Sequence, residues 1–247
     1  CSVENLSCKK PPNKEEQSIR STDFIIYIIL HKLYNFNYKH NLEQLHKSSS
    51  VHGEKMKKTV VLLANGFEEI EALSPADYLR RAGAEVIIAA TGTSSRNVEG
   101  AHKILVTADM TLDTYFSTEK ELPDAVVIPG GMPGAKNISE CAKAMEFINQ
   151  MFKAKKLVAA ICASPAVVLG KTEILNGKNW TCYPEMEKSL SAEIQKNHKI
   201  QPVVTDENLI TGRGPGTAEQ FSMEIVRILF SEETKAKIME ASVQRKC

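Results

Sequence analysis

The 247-residue chain lacks the features that mark several large classes of proteins. Its six cysteines form no CxxC pair and no cluster with histidine, so the sequence predicts neither a disulfide framework nor a metal site. Positive and negative side chains nearly cancel, leaving a formal net charge of +1, and bulk charge therefore indicates no nucleic-acid or membrane partner. Scattered single cysteines are typical of a reducing compartment, so we expect a cytoplasmic protein.

Long apolar runs and nucleotide-binding motifs are also missing. The run Phe24–Leu30 is far shorter than the roughly 20 residues that a hydrocarbon core needs, and no small-residue cleavage site follows it. No loop has the pattern GxGxxG, and Gly170-Lys171-Thr172 lacks the earlier glycine of a phosphate-binding loop, since position 165 is Pro165. We therefore predict no membrane span, no nucleotide site and no cofactor.

The first 55 residues differ in composition from the rest of the chain. They hold four of the six histidines and contain no glycine or alanine before Gly53. A strand-like sequence begins abruptly after Met56, so we predict a folded domain over residues 56–247 and a leader over residues 1–55 outside it. Two interpretations of the leader stay open: a disordered segment, or an artefact of translating AT-rich noncoding sequence, which suits the bias of residues 24–41 toward Ile, Asn, Tyr, Lys and Phe. A peptide found upstream of Met56 by mass spectrometry would contradict the second.

Apolar strands alternate with helical stretches through the predicted domain. Strands apolar on both faces indicate a mostly parallel sheet covered by helices, so the fold class is α/β. The predicted strands are Thr59–Ala64, Glu85–Ala90, Ala125–Ile128, Leu157–Ile161 and Leu209–Ile210, with a small antiparallel element within Gly100–Asp109. The predicted helices are Glu68–Ala82, Ala142–Lys153, Ser164–Gly170 and Thr217–Phe230. Active and binding sites in such sheets lie beyond the carboxyl ends of the strands. We expect four loops to meet there: NGFEEIE, PGGMPG, CASPA and TGRGPGT.

Cys162 is the residue most informative about function. It ends the apolar run LVAAI and precedes a helix that starts with Ser-Pro, so its thiol lies on a sharp strand-to-helix turn. The free N–H groups and partial positive charge of a helix N-terminus favour the nucleophilic thiolate. A small, inert core cysteine is the competing interpretation. The strand-end position favours a reactive thiol, whereas Cys141, Cys182 and Cys247 have no such context and are interpreted as structural or incidental.

Three acids crowd the start of the first helix: Glu68, Glu69 and Glu71. Carboxylates suit a helix N-terminus for purely structural reasons. One of them, if buried, would have a raised pKa and could exchange a proton with Cys162. Spacing alone does not choose among the three.

Gly130 and Gly131 directly follow the third predicted strand. Their N–H groups could form an oxyanion site together with the N–H of Ala163, or the pair could simply make a tight turn. The predicted domain has only two histidines, His102 and His198, and neither lies on the loops at the strand ends. We interpret both as surface or interface residues, which weighs against a Cys-His-Asp protease.

The segments NGFEEIEAL, PGGMPGAKNISE, AAICASPAVV, TCYP and TGRGPGT, in this order and spacing, resemble the DJ-1/PfpI family across almost all of residues 56–247. The resemblance implies a flavodoxin-like three-layer sandwich that forms homodimers, in the cytoplasm and for some members the nucleus or mitochondrion. It implies that Cys162 is a readily oxidised nucleophile and that Glu71 is the acid that hydrogen-bonds it. By the same resemblance Gly130, Gly131 and Ala163 supply oxyanion amides, and Tyr183, Arg213 and Pro215 are candidates for binding substrate.

Two departures from the family pattern limit what the resemblance implies. Ala163 follows the cysteine where protease-like members have histidine, and Tyr183 stands where glyoxalase-type members often have histidine. We therefore expect no protease. The leading hypothesis is cofactor-independent conversion of methylglyoxal, free or as an adduct on protein or nucleotide, to lactate, with Tyr183 binding substrate or Glu71 moving the proton alone. The alternative is a redox-sensing stress protein or chaperone in which oxidation of Cys162 is the function.

Overall fold

A computed structural model describes residues 55–244. The predicted leader and the run Phe24–Leu30 lie outside the described residues, apart from Lys55, so the domain boundary and both interpretations of the leader stay predictions. None of the helices between residues 55 and 244 is both long and apolar enough to cross a lipid bilayer.

Nine strands and eight α-helices follow one another along the described residues. The strands are β1 (Lys58–Leu63), β2 (Glu85–Ala90), β3 (Asn97–Glu99), β4 (Leu105–Thr107), β5 (Met110–Thr111), β6 (Ala125–Ile128), β7 (Leu157–Ile161), β8 (Val203–Asp206) and β9 (Leu209–Gly212). The helices are α1 (Glu69–Arg81), α2 (Leu112–Thr118), α3 (Gly134–Glu140), α4 (Ala142–Lys153), α5 (Ser164–Val167), α6 (Ala192–Gln195), α7 (Ala218–Leu229) and α8 (Glu232–Ala241). Short 3₁₀ turns lie at Leu169–Lys171, Met186–Ser189 and Pro215–Thr217.

Seven of the strands form one sheet in the order β5-β2-β1-β6-β7-β9-β8. All neighbours are parallel except β8, which runs antiparallel to β9. β3 and β4 pair separately as a small antiparallel hairpin. Because the central strands are parallel, β1, β6, β7 and β9 end at one edge of the sheet, which confirms the predicted α/β class with a mostly parallel, flavodoxin-like sheet.

The core lies on both faces of the central strands. Every residue of β6 and β7 is buried, which explains their continuous apolar sequences. Helix α4 buries Ala144, Phe147, Ile148 and Met151, one apolar face at helical spacing, against β6 and β7. Helices α1 and α7 pack against each other, α1 over β1 and β2 and α7 over β9. Helices flanking a central sheet make the expected three-layer sandwich.

The predicted elements differ from the structure in a few places. Helix Ser164–Gly170 was predicted too long: α5 ends at Val167, and a tighter 3₁₀ turn follows over Leu169–Lys171. Two successive β-branched residues and a glycine weaken this helix, and the tight turn lets the side chain of Leu190 pack directly over Gly170, where a Cβ would lie 2.5 Å from Leu190 Cδ2. The edge strands β5 and β8 and the helices α2, α3, α6 and α8 were not predicted.

Candidate active site

Cys162 lies on a strained turn between β7 and α5. Its φ of +64° is in the left-handed region, which a residue with a Cβ adopts at a cost of the order of 1 kcal/mol or more. Two backbone hydrogen bonds hold it there: its N–H donates to Gly212 O at 2.9 Å, and its carbonyl oxygen accepts from Tyr183 N–H at 2.8 Å. The hydroxyl of Ser164 donates to Pro129 O at 2.6 Å and ties the start of α5 to the end of β6. The surrounding structure thus fixes a cysteine at the carboxyl edge of the sheet, with 9% of its surface exposed.

Glu71 reaches this turn from the first turn of α1 and is completely buried. Its Oε2 accepts a hydrogen bond from Gly130 N–H at 2.8 Å, and the carboxyl and Cys162 lie on either side of this glycine. Burial raises the pKa of Glu71 to about 7, although the neighbouring Cys162 thiol and the hydrogen bond from Gly130 act to lower it. A carboxyl with a pKa near neutrality can both take and return a proton under physiological conditions.

Burial also raises the pKa of the Cys162 thiol, and the neighbouring charge of Glu71 raises it further. The N–H groups of Gly131 and Ala163 act in the opposite direction but are outweighed. The prediction that the helix N-terminus favours a thiolate is therefore wrong for the resting site, because α5 has a single turn and burial exceeds its effect. The pair retains a proton near neutral pH, and Glu71 is the base that can accept it from sulfur.

The three acids of NGFEEIE have different partners. Glu68 caps α1, accepting from Ile70 N–H at 3.4 Å. Glu69 accepts from His102 N–H at 2.8 Å and pairs with His102 Nδ1 at 2.8 Å. Burial acts to raise the pKa of Glu69, but the hydrogen bonds from His102 and from backbone N–H groups outweigh it, and the pKa is lowered. Of the three, Glu71 is the acid whose charge acts on the Cys162 thiol, so packing makes the choice that spacing left open.

The two glycines after β6 have different roles. A Cβ on Gly130 would lie 2.7 Å from both Cys162 Cβ and Glu71 Oε2, so only glycine leaves room for the pair. The Gly130 N–H donates to Glu71 Oε2, so of the three predicted oxyanion donors it is the one already engaged by a side chain. Gly131 and Ala163 remain as donors because both N–H groups act on the Cys162 sulfur. A substrate oxygen beside that sulfur would meet these same two donors.

The predicted substrate-binding residues divide between two places. Tyr183 is at the site: its N–H binds the Cys162 carbonyl, its side chain is half exposed, and its ring lies against Gly214. Pro215 follows Gly214 and begins a 3₁₀ turn. The Arg213 side chain instead donates to Ile200 O at 3.2 Å, and its charge acts on Cys182 and His198.

His102 is a surface residue as predicted, with 70% of its side chain exposed. His198 is half-buried, its ring 4.9 Å from that of Trp180, and with Cys182 and Glu187 it forms a cluster that sequence reasoning missed. The three residues are five and eleven positions apart in sequence, so no short motif marks them.

Comparison with known proteins assigns the chain to a family. Residues 57–228 match the DJ-1/PfpI family. The chain belongs to this family. Protein DJ-1 homolog A of Arabidopsis thaliana is 38% identical over 190 residues, which cover 77% of this chain and 47% of that protein. The Parkinson disease protein 7 homolog of Danio rerio is 34% identical over 183 residues, covering 74% of this chain and 94% of that protein.

One relative carries the name of an enzyme. The glutathione-independent glyoxalase DJR-1.2 of Caenorhabditis elegans is 30% identical over 181 residues, covering 73% of this chain and 92% of that protein. Among solved structures, oxidized Toxoplasma gondii DJ-1 has a TM-score of 0.71 at 32% identity, covering 77% of this chain and all of that chain. The present chain spans about half the length of the Arabidopsis relatives it matches, so what they do as whole proteins does not transfer directly.

Proposed function

We propose that the protein converts reactive dicarbonyls such as methylglyoxal to hydroxy acids, without a cofactor, by covalent catalysis at Cys162. The observation that carries the proposal is the buried Glu71 carboxyl, which lies beside Cys162 at Gly130 and whose pKa burial raises to about 7. A base of this pKa beside a nucleophile is what reversible proton transfer at neutral pH requires. The glyoxalase name of the C. elegans relative is consistent with it.

The first step forms a carbon–sulfur bond. Glu71 takes the thiol proton as the Cys162 sulfur attacks the aldehyde carbon of methylglyoxal, and the carbonyl oxygen becomes an oxyanion held by the N–H groups of Gly131 and Ala163. That oxygen then takes the proton back from Glu71, which leaves a hemithioacetal on the enzyme and returns Glu71 to the carboxylate form. When the dicarbonyl starts as a hemiaminal on a protein or nucleotide amine, the amine first takes the hydroxyl proton and leaves, which regenerates the aldehyde that Cys162 then attacks.

The second step moves a proton between carbons. Glu71 removes the proton from the former aldehyde carbon to give an enediol, and a proton is returned to the neighbouring carbon. The first carbon is thereby oxidised and the second reduced, so no external oxidant or reductant is needed. The product is a lactoyl thioester, which water hydrolyses to lactate with return of the thiol. Tyr183, half exposed beside this turn, is placed to contact the substrate.

The proposal is tested by lactate formation from methylglyoxal with the full chain, in the absence of glutathione. The control variant Cys141→Ser removes a half-buried free thiol that the proposed reaction does not use. It should form lactate at the same rate as wild type. Cys162→Ala should form none above the rate without protein. Equal lactate yields from wild type and Cys162→Ala would contradict the proposal.

A second candidate function is redox sensing in a stress-protective protein. The free Cys162 thiol, with the N–H groups of Gly131 and Ala163 acting on its sulfur, could hold a sulfinate as well as an oxyanion. Mild peroxide followed by intact-mass analysis separates the two. A gain of two oxygen atoms (~32 Da) confined to Cys162, with negligible lactate formation, would favour sensing over catalysis.

We also propose a homodimer formed through the face beside the site. Four large apolar side chains on α1 and the β3–β4 hairpin are exposed there, namely Ile70 (53%), Leu73 (36%), Ile104 (53%) and Leu105 (62%). The contact of Glu69 with His102 holds this hairpin against the start of α1. Light scattering after size exclusion should give twice the chain mass, and Ile104→Lys with Leu105→Lys should give the chain mass. A wild-type protein of single chain mass at tens of micromolar would contradict the dimer.

The free thiols at Cys141, Cys162 and Cys182 fit a reducing compartment, and we place the protein in the cytoplasm on that basis. Fractionation of cells followed by detection of the protein tests this placement. Recovery in an oxidising compartment would contradict it.

A further inference from the structure

Three side chains of the kinds that zinc binds lie together in the segment between α5 and β8. They are the thiol of Cys182, the carboxylate of Glu187 and the imidazole of His198, and their ligand atoms all lie within 4.8 Å of one another. Cys182 is completely buried, whereas Glu187 and His198 are half-buried, so the cluster opens to solvent on one side. A site with thiolate, imidazole and carboxylate ligands suits Zn²⁺ better than Mg²⁺ or Ca²⁺, which prefer oxygen alone.

The distances are close to those of a tetrahedral zinc site. With zinc bonds of about 2.3 Å to sulfur and about 2.1 Å to nitrogen or oxygen, neighbouring ligand atoms lie about 3.6 Å apart. Cys182 Sγ is 3.9 Å from His198 Nε2 and 4.0 Å from Glu187 Oε2. Each of these two distances must shorten by only a few tenths of an ångström. The Glu187 and His198 ligand atoms lie within 4.8 Å of each other and must come to about 3.4 Å, and rotation of these two half-buried side chains can supply the changes.

The surroundings hold two of the ligands in position before any metal binds. The backbone of His198 bridges that of Trp180, and the two rings meet edge to face with centroids 4.9 Å apart. Lys199 N–H donates to Trp180 O at 2.7 Å and completes this pairing. Cys182 comes two residues after Trp180, so this backbone pairing brings it opposite His198. Glu187 lies on the separate 3₁₀ turn Met186–Ser189.

The charge around the cluster also permits a divalent cation. Arg213 lies near enough for its charge to act on Cys182 and His198, and it works against a cation. The two anionic ligands, a thiolate and a carboxylate, exceed it by one negative charge. Zn²⁺ binding releases the thiol proton to solvent as the Zn–S bond forms and changes no oxidation state, so binding should tighten as the pH rises.

We propose that Cys182, Glu187 and His198 form a zinc site that fixes the loop carrying Tyr183. The sequence neighbour of Cys182 is Tyr183, whose N–H holds the Cys162 carbonyl. Zinc at Cys182 would therefore stiffen the turn on which Cys162 lies. The site is separate from the Cys162–Glu71 pair, and the proposal stands whichever reaction that pair performs.

The test titrates zinc into the full chain carrying Cys162→Ser, so that the reactive thiol contributes no site. After chelator treatment, this protein should take up one Zn²⁺ per chain, in competition with a chromophoric chelator, and Tm should rise by about 5–10 °C at saturating zinc. Co²⁺ in place of Zn²⁺ should give a thiolate-to-cobalt charge-transfer band. Adding Cys182→Ser or His198→Gln should weaken zinc binding by more than about 100-fold and remove the band. The controls Cys141→Ser and His102→Gln change the same residue types outside the cluster and should bind zinc like the parent.

A third variant keeps the test decisive if loss of the buried Cys182 thiol unfolds the chain. Glu187→Gln changes a half-buried side chain to a neutral amide of the same size and should also weaken zinc binding, while circular dichroism without metal matches the parent. Zinc affinity unchanged in both His198→Gln and Glu187→Gln would overturn the proposal. Absence of zinc uptake by the parent at micromolar zinc would overturn it equally.

Discussion

Cys162 and Cys182 are both buried free thiols, and each has a carboxylate beside it, yet their surroundings suit different chemistry. Cys162 lies in a left-handed conformation at the end of β7, with the N–H groups of Gly131 and Ala163 near its sulfur and a small exposed fraction. Cys182 lies in the segment between α5 and β8, has no exposed surface, and has the His198 imidazole and the Glu187 carboxylate near its sulfur. Burial raises the thiol pKa in both places. The two cysteines differ in solvent exposure and in the groups around the sulfur that can hold a reaction product or a metal ion. Burial and a nearby acid therefore do not by themselves identify a nucleophilic cysteine.

The largest effect should come from exchanging the two cysteines for serine in turn. Cys162→Ser should lower lactate formation from methylglyoxal by more than about 10³-fold, because the nucleophile is lost, and should leave zinc binding intact. Cys182→Ser should do the reverse, abolishing zinc binding and lowering kcat/KM by less than about tenfold. Equal losses of lactate formation in the two variants would break the distinction between the two cysteines.

Glu71→Gln should lower kcat for lactate by about 10²–10⁴-fold, since the amide still accepts from Gly130 N–H but cannot exchange a proton. The inflection near pH 7 in the wild-type pH–rate profile should disappear with it. Glu187→Gln, the matching change beside Cys182, should leave that inflection in place. A Glu71→Gln profile that keeps the inflection would show that another group moves the proton.

Gly130→Ala should lower kcat/KM by about 10²-fold, because its Cβ would lie 2.7 Å from Cys162 Cβ and Glu71 Oε2 and would push the pair apart. Gly216→Ala is the matched control: a Cβ there meets no atom within 4 Å, and its φ is not left-handed. Circular dichroism should show both variants folded. Activity in Gly130→Ala equal to that of Gly216→Ala would mean that the contact between thiol and carboxyl is not needed.

Glu71 should also make stability depend on pH. Its pKa is about 7 in the folded protein against 4.5 when exposed, so the folded state binds the proton more tightly. The resulting stabilisation is complete below about pH 4.5 and is lost as the pH rises through 7. Glu71→Gln, which is always neutral, should therefore be more stable than wild type by up to about 3 kcal/mol at pH 8 and no more stable at pH 4. Urea unfolding at the two pH values measures this, and a destabilised Glu71→Gln at pH 8 would contradict the raised pKa.

Most of the central sheet could be predicted because its strands are buried on both faces and read as continuous apolar runs. The bounds of β2, β6 and β7 agree with prediction to the residue. The edge strand β8, with the sequence VVTD and partly exposed side chains, lacks that signal. The short helix α3 begins within a glycine-rich loop, and the composition of that loop indicated a turn there.

The residues of the candidate site could be named from the sequence, but the directions of their pKa shifts and their hydrogen-bond partners could not. The loops that carry Glu71, Gly130 and Cys162 follow from strand order, because parallel strands bring their carboxyl ends to one edge. The packing of α1 against β6 decides which of the three acids faces the thiol. The same packing brings the Glu71 carboxyl to the Gly130 N–H, which donates a hydrogen bond to it. The thiolate prediction failed for the same reason, since burial of Cys162 is a property of the packed structure.

The most direct test of the account measures the rates at which Cys162 and Cys182 react with iodoacetamide in one sample of the full chain, read by peptide mass. We predict that Cys162 is labelled faster at every pH and that its rate rises through about pH 7 as Glu71 becomes able to accept the thiol proton. Glu71→Gln should slow Cys162 and leave Cys182 unchanged. Labelling of Cys182 as fast as Cys162, or a Cys162 rate that Glu71→Gln does not alter, would contradict the claim that Cys162 and Glu71 act as one reactive pair.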